Sequence, residues 1–120
     1  MNAAEVKALT KLFHYAAACG WAPVRFWDGE AYQRGASPEG MTLPELIGAV
    51  ESVDDGLIMW RNARQRAADP AQKDNSLRTI PDNCRDGLEL FNDWSEQHGF
   101  GQMMADFVIA WESGTWAKVA

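Results

Sequence analysis

The pattern of apolar and polar positions predicts a helix over residues 79–99. At about 100° per residue, the apolar side chains of this stretch fall on one face and the carboxylates on the other. Thr79 can cap the first turn, Pro81 is tolerated there, and Gly99 can end the helix. The acidic stripe runs at steps of four, three, four and three residues through Asp82, Asp86, Glu89, Asp93 and Glu96.

Three other stretches have helical patterns with signals at their ends. An apolar stripe over residues 3–19 predicts a first helix, which Gly20 ends. Thr42, followed by Pro44 and Glu45, forms a predicted capping box for a helix that runs to about residue 53. A wide apolar face over residues 102–112 predicts the last helix, which ends at Ser113-Gly114.

A β-hairpin is predicted near residues 24–33. Residues 24–27 and 30–33 are rich in strand formers, and Asp28-Gly29 between them is a strong two-residue turn signal. The glycine, serine and proline residues of 34–41 then predict a loop.

Residues 52–67 support two interpretations. Leu57, Trp60, Ala63 and Ala67 are spaced for one helix face, and the polar run after Trp60 has no strand character, so a helix over 55–67 is favoured. Residues 56–60 would also suit a buried strand. A polar loop is predicted over 69–78. The expected fold is a single domain, mainly α (α+β): a compact bundle of about five helices with a short β-hairpin near residues 24–33.

The composition adds an excess of tryptophan and of negative charge. Six tryptophans are many for a core of 120 residues, because each indole N–H needs a partner when it is buried. Trp60, Trp94 and Trp111 lie on predicted helix faces and are assigned to the core. Trp21, Trp27 and Trp116 lie in predicted loops, the hairpin or the tail. These three are therefore candidates for an interface.

The net charge of −6 argues against a general nucleic-acid binder and is compatible with a basic protein partner. Basic residues concentrate in 61–78, directly before the acidic stripe. No apolar run is long enough to span a bilayer, and no secretory pattern precedes Cys19 or Cys84. A cytoplasmic protein with reduced thiols and no membrane contact is therefore expected.

The residue patterns of common active sites are missing from the sequence. It has no glycine-rich phosphate loop, and His14, Cys19, Cys84 and His98 lack the usual zinc-ligand spacings. Carboxylates on a convex helix face have nothing to desolvate one of them and raise its pKa. We therefore expect a non-enzymatic protein without metal or cofactor. An enzyme with a small pocket around His14 is the least favoured alternative.

The acidic stripe itself has two interpretations. A solvated helix face is the ordinary outcome of amphipathicity. Like charges four residues apart nevertheless cost a few tenths of a kcal/mol each, which favours a use for them. A row of carboxylates could occupy a basic groove that is built for nucleic acid, with neighbouring tryptophans supplying the anchor.

In size, acidity, aromatic content and lack of catalytic motifs, the chain resembles the small acidic inhibitors that phages encode against host defences, anti-CRISPR proteins among them. The resemblance implies an inhibitor that blocks a nucleic-acid-handling host protein without binding nucleic acid itself. Its expected partner-binding residues are Asp82, Asp86, Glu89, Asp93, Glu96, Trp27 and Trp116. The alternative is a structural or adaptor subunit that self-associates or docks through exposed tryptophans. The sequence does not fix the oligomeric state.

Overall fold

The computed structural model describes residues 1–62, 74–82 and 85–114. Within these ranges it contains three α-helices, five β-strands and two short 3-10 helices. The α-helices are α1 (Ala3–Ala18), α2 (Leu43–Glu51) and α3 (Phe100–Ser113). The strands are β1 (Trp21–Trp27), β2 (Tyr32–Arg34), β3 (Gly56–Asn62), β4 (Asn75–Thr79) and β5 (Phe91–Trp94). The 3-10 helices are Leu88–Leu90 and Gln97–Gly99.

The five strands form one antiparallel sheet in the order β2-β1-β3-β4-β5, so β2 and β5 are its edges. Alternate residues of the strands are buried, because successive side chains of a strand point to opposite faces. The inner face packs against the helices around one core, whose largest fully buried side chains include Trp60, Phe26, Phe100 and Phe107. The protein is therefore an α+β fold in which the described helices pack on one side of the sheet.

This architecture shows that the predicted five-helix bundle is wrong. The helix predicted over residues 79–99 does not exist: β4 ends at Thr79, and the segment then contains Leu88–Leu90, β5 and Gln97–Gly99. Gly87 lies in the middle of the predicted helix with a φ of 86°, and a Cβ there would lie 2.3 Å from the carbonyl oxygen of Ala4. Close packing against α1 therefore overrides the local helical pattern.

The helix predicted over residues 55–67 is also wrong where the structure describes it. Residues 56–62 form β3, the central strand, which pairs with β1 on one side and β4 on the other. Gly56 permits the close approach, since a Cβ there would lie 2.2 Å from Cζ of Phe26. The strand alternative for residues 56–60 is the correct one. Of the loop predicted over 69–78, residues 75–78 belong to β4, and 69–73 lie outside the described residues.

The other predicted elements are present. α1, α2 and α3 match the three capped helices within a few residues, and Thr42 and Glu45 form the expected capping box. A similar box between Asn2 and Glu5 begins α1. The hairpin is formed by β1 and β2, and its first strand is longer than predicted.

The tryptophans divide differently from the prediction. Trp60 is fully buried, and Trp94 and Trp111 pack partly buried against the core, as expected. Trp21 was wrongly assigned to an interface: it belongs to the core and stacks edge-on against Phe100 at 5.1 Å. Trp116 and Cys84 lie outside the described residues. None of the described helices is both long enough and apolar enough to cross a membrane.

Candidate functional site

The outer face of the sheet carries two rows of side chains, one that crosses from β2 to β5 and one that crosses from β2 to β4. Cross-strand register pairs align one row as Tyr32, Trp27, Leu57, Arg78 and Asp93. Further register pairs align the second row as Arg34, Arg25, Met59 and Ser76. Paired residues of an antiparallel sheet lie on the same face, so each row is a line of neighbours. The charge along the rows changes from arginine at the β2 edge to aspartate at β5.

A cleft of about 530 Å³ opens at the β2 end of this face. We call it the arginine cleft; its charged lining residues are Arg25, Arg34, Arg61 and Asp74. Asp74 accepts hydrogen bonds from Nε of Arg25 at 2.8 Å and from Nε of Arg61 at 2.5 Å, with only 6% of its side chain exposed. One nearly buried carboxylate thus fixes two guanidinium groups, and arginines outnumber carboxylates in the part of the lining that the structure describes.

An aromatic contact supports one of these arginines, Arg25, from the side. The guanidinium carbon of Arg25 lies 4.1 Å from the centroid of the Tyr32 ring, a cation–π contact. Tyr32 is 45% exposed and packs against Trp27, with 4.8 Å between the ring centroids. Arg34 is exposed and forms no ion pair with any described residue.

The wall of the arginine cleft formed by residues 35–38 is anchored to the start of α2. Glu45 accepts the backbone N–H of Thr42 at 2.9 Å and that of Ala36 at 2.8 Å. These backbone hydrogen bonds hold the pKa of Glu45 below its ordinary value, because they stabilise the carboxylate. Gly35 is needed for the approach, since a Cβ there would lie 2.8 Å from the carbonyl oxygen of Gly40. The capping box therefore also positions the cleft wall.

The predicted acidic residues lie around β5, at the opposite edge of the sheet. All five are exposed, but they do not form a stripe on one helix, since they belong to different local structures. We call this set the acidic edge: Asp82, Asp86, Glu89, Asp93 and Glu96. None of them forms an ion pair with a described residue. Asp86 and Asp93 accept only local backbone N–H groups, from Leu88 and Trp94.

The backbone of the acidic edge is tied to α1 by Glu5, which is 1% exposed. Its Oε1 accepts the N–H of Asn2 at 2.9 Å, and its Oε2 accepts the N–H of Asp82 at 3.0 Å. The same carboxylate therefore caps α1 and holds the start of the connection between β4 and β5.

The structure does not bring the predicted aromatic residues to the acidic edge. Trp27 lies on β1, which β3 and β4 separate from β5. Trp27 instead neighbours the arginine cleft through Tyr32. Trp116 lies outside the described residues.

Groups that could bind a metal or act as nucleophiles are scattered. Over residues 1–62, 74–82 and 85–114 there is no group of three or more His, Cys, Asp or Glu residues placed to hold a metal ion. His14 and His98 are both exposed. Burial raises the pKa of the Cys19 thiol, and Asp106 raises it further, so little of the reactive thiolate forms at neutral pH.

The arginine cleft was missed from the sequence, although part of its signal is there. Arg25, Trp27, Tyr32 and Arg34 alternate on either side of the predicted Asp28-Gly29 turn, which places all four on one face of the hairpin. The contribution of Asp74 has no such signal, since it depends on tertiary contacts with two other strands.

Comparisons of the chain with protein-family models, with curated proteins and with solved structures found no match. The functional proposals therefore rest on the geometry and charge of the two sheet edges.

Proposed function

We propose that this is a non-enzymatic binding protein that docks onto a basic surface of another protein through its acidic edge. The observation that supports this best is that five exposed carboxylates surround an edge strand and none has an ion-pair partner among the described residues. A partner that handles nucleic acid would present such a basic surface. Occupying that surface would inhibit it, as in the phage-encoded inhibitors that the sequence resembles.

Two physical arguments favour an interface over a merely solvated surface. The nearest arginine in register, Arg78 opposite Asp93, forms its ion pair with Asp55 instead, so the acidic edge keeps its negative field. Such a field steers a basic partner and raises the rate of association. In addition, among the described strands β5 pairs only with β4, so a strand of the partner could pair with its other side.

The test is a comparison of charge-reversal variants in a tagged pull-down from a bacterial lysate, washed at rising salt and read by mass spectrometry. The triple variant D86K/E89K/D93K reverses the centre of the acidic edge. The double variant E89K/E96K spares the hydrogen bonds that Asp86 and Asp93 accept. The matched control, E30K/E51K/E112K, reverses three exposed carboxylates elsewhere. Circular dichroism checks that each variant is folded.

The proposal expects a protein with a basic surface that wild type and the control capture, and that both acidic-edge variants lose. Capture should also fall between low and moderate salt, because exposed charges are screened over about 10 Å at 0.1 M salt. Equal capture by the folded acidic-edge variants would overturn the proposal.

The second candidate, docking through exposed aromatic side chains, is favoured by the Trp27–Tyr32 pair. Both lie on the outer face, away from the side on which the described helices pack. A partner that is retained at high salt by the acidic-edge variants and lost in Trp27→Ser would assign the interface to this face instead.

A further inference from the structure

The arginine cleft lies outside the proposed protein interface, and the acidic edge plays no part in it. Its charges are arranged for an anion: among the described residues, three arginines and a single carboxylate, that of Asp74, line one concave space. This arrangement differs from scattered surface arginines because two of its arginines share the nearly buried carboxylate of Asp74. Because Asp74 engages Nε of both Arg25 and Arg61, it orients both guanidinium groups before any ligand arrives.

Preorganisation lowers the cost of binding. A free arginine side chain loses about 1 kcal/mol or more of conformational entropy when a ligand fixes it. Arg25 has already lost that freedom, since Asp74 holds its Nε and the Tyr32 ring supports its planar face. Arg34, its register partner on β2, adds a positive charge that no described residue neutralises.

The size and charge of the cleft select the class of ligand. A volume of about 530 Å³ falls in the usual range for small-molecule sites. A phosphate monoester carries about −1.5 to −2 charge at neutral pH, so a lining in which arginines outnumber carboxylates among the described residues attracts it, and arginine forks suit its oxygen atoms. A nucleic-acid strand fits less well, because the net charge of −6 and the acidic edge of the same sheet repel a polyanion.

We propose that the arginine cleft binds the phosphate group of a small phosphorylated molecule. Arg25 and Arg61 present it with guanidinium groups fixed by Asp74, and Arg34 adds a third positive charge from β2. Ser37, on the wall anchored by Glu45, belongs to the same lining, and its hydroxyl, which accepts the N–H of Glu39, keeps a hydrogen that it can donate.

The test uses two probes, inorganic phosphate and adenosine 5′-monophosphate, each titrated into the full chain at constant ionic strength. Nitrogen–proton NMR spectra follow the Nε–H signals of Arg25 and Arg61, and isothermal titration calorimetry gives the affinity. The variant Arg34→Gln removes the unpaired arginine. Arg85→Gln is the matched control, since Arg85 is also exposed and forms no ion pair with a described residue but lies beside the acidic edge.

Wild type and Arg85→Gln should bind both probes with shifts of the two Nε–H signals, and Arg34→Gln should bind about tenfold more weakly. That factor corresponds to one charge-assisted hydrogen bond. Binding that is unaffected by Arg34→Gln, or absent for both probes, would overturn the proposal.

A single-stranded oligonucleotide is titrated in parallel, to distinguish the phosphate groups of a nucleic-acid strand from that of a small molecule. If the oligonucleotide binds with steep salt dependence and the monoester does not, the small-molecule class is wrong and the cleft is assigned to a nucleic-acid strand. The interface proposed for the acidic edge is tested by separate variants, so either proposal can fail alone.

Discussion

The two ends of the sheet carry opposite charges and hold them in opposite ways. At the β2 end, two of the three arginines share the nearly buried carboxylate of Asp74, and Tyr32 supports one of them. At the β5 end, the carboxylates have no ion-pair partner among the described residues, and it is the backbone that is anchored, through Glu5. The first arrangement fixes the charges themselves, whereas the second fixes only the strand that carries them.

This difference separates two kinds of recognition. Fixed guanidinium groups around a concave space suit a small ligand, because the geometry of a few hydrogen bonds determines its affinity. Carboxylates without fixed partners along an edge strand suit a larger and more variable surface, where long-range attraction matters more than exact placement. Variants that loosen one end and spare the other can test this distinction.

The largest loss of stability is expected from a variant that removes the anchor of the acidic edge. Glu5→Ala removes the Glu5 half of the capping box of α1 and leaves the backbone N–H groups of Asn2 and Asp82 without their carboxylate acceptor. Loss of two charge-assisted hydrogen bonds from a carboxylate that is 1% exposed should lower the free energy of unfolding by about 3 kcal/mol. Urea unfolding measures the loss, and hydrogen exchange should show it concentrated around β5.

The control for this prediction is Glu112→Ala, at an exposed position of α3, which should change stability by less than about 0.5 kcal/mol. Equal stability of Glu5→Ala and wild type would show that Glu5 does not anchor the acidic edge.

A smaller loss of stability is expected from a variant that removes the shared carboxylate of the arginine cleft. Asp74→Ala leaves Arg25 and Arg61 facing each other without their shared carboxylate. Since both arginines are 28% exposed, water screens part of the repulsion, and we expect a loss of about 2 kcal/mol. Urea unfolding beside the exposed control Asp54→Ala measures it. If high salt does not reduce the difference, repulsion between the arginines is not its cause.

The smallest loss of stability is expected from breaking the ion pair between Arg78, on β4, and Asp55. The hydrogen bond from Arg78 is the main reason why the pKa of Asp55 is lowered. The pair therefore stabilises the fold fully above the unfolded pKa of about 3.9, and this contribution is lost as the pH falls through the lower pKa of the folded state.

Because both side chains are about half exposed, Asp55→Asn should cost no more than about 0.5 kcal/mol at neutral pH. Urea unfolding across the acidic range should show the wild-type and variant stabilities converging as Asp55 becomes protonated in the folded state. A difference that persists after protonation, or that grows with added salt, would contradict the proposed role of the ion pair.

The elements that the sequence predicted correctly are those with local signals at both ends. α1 and α2 begin with capping boxes, Asn2 with Glu5 and Thr42 with Glu45, and each box lies within four residues. The β1–β2 hairpin follows from its Asp28-Gly29 turn. In these cases the interactions that determine the structure are close in sequence, so the pattern of residues was sufficient.

The failures occurred where contacts between distant residues decide the structure. The residues of 79–99 fit a helical period, yet the positive φ of Gly87 and its contact with Ala4 break the helix. Residues 56–62 become a strand because β1 and β4 flank them. The same limit applies to the sites: exposure of the acidic residues was readable from their polarity, but the gathering of two arginines around Asp74 was not.

The hydrogen bond from Asp82 to Glu5 joins residues 77 positions apart in the chain. It can form only after the intervening chain has been brought together, because closing a long loop costs entropy before any contact repays it. We therefore expect the helices and the β1–β2 hairpin to form early in folding and the acidic edge to join late. On this view, the loss of the hydrogen bond from Asp82 in Glu5→Ala accelerates unfolding, because that bond is absent from the folding transition state, whereas the loss of the bond from Asn2 in the early helix α1 slows folding.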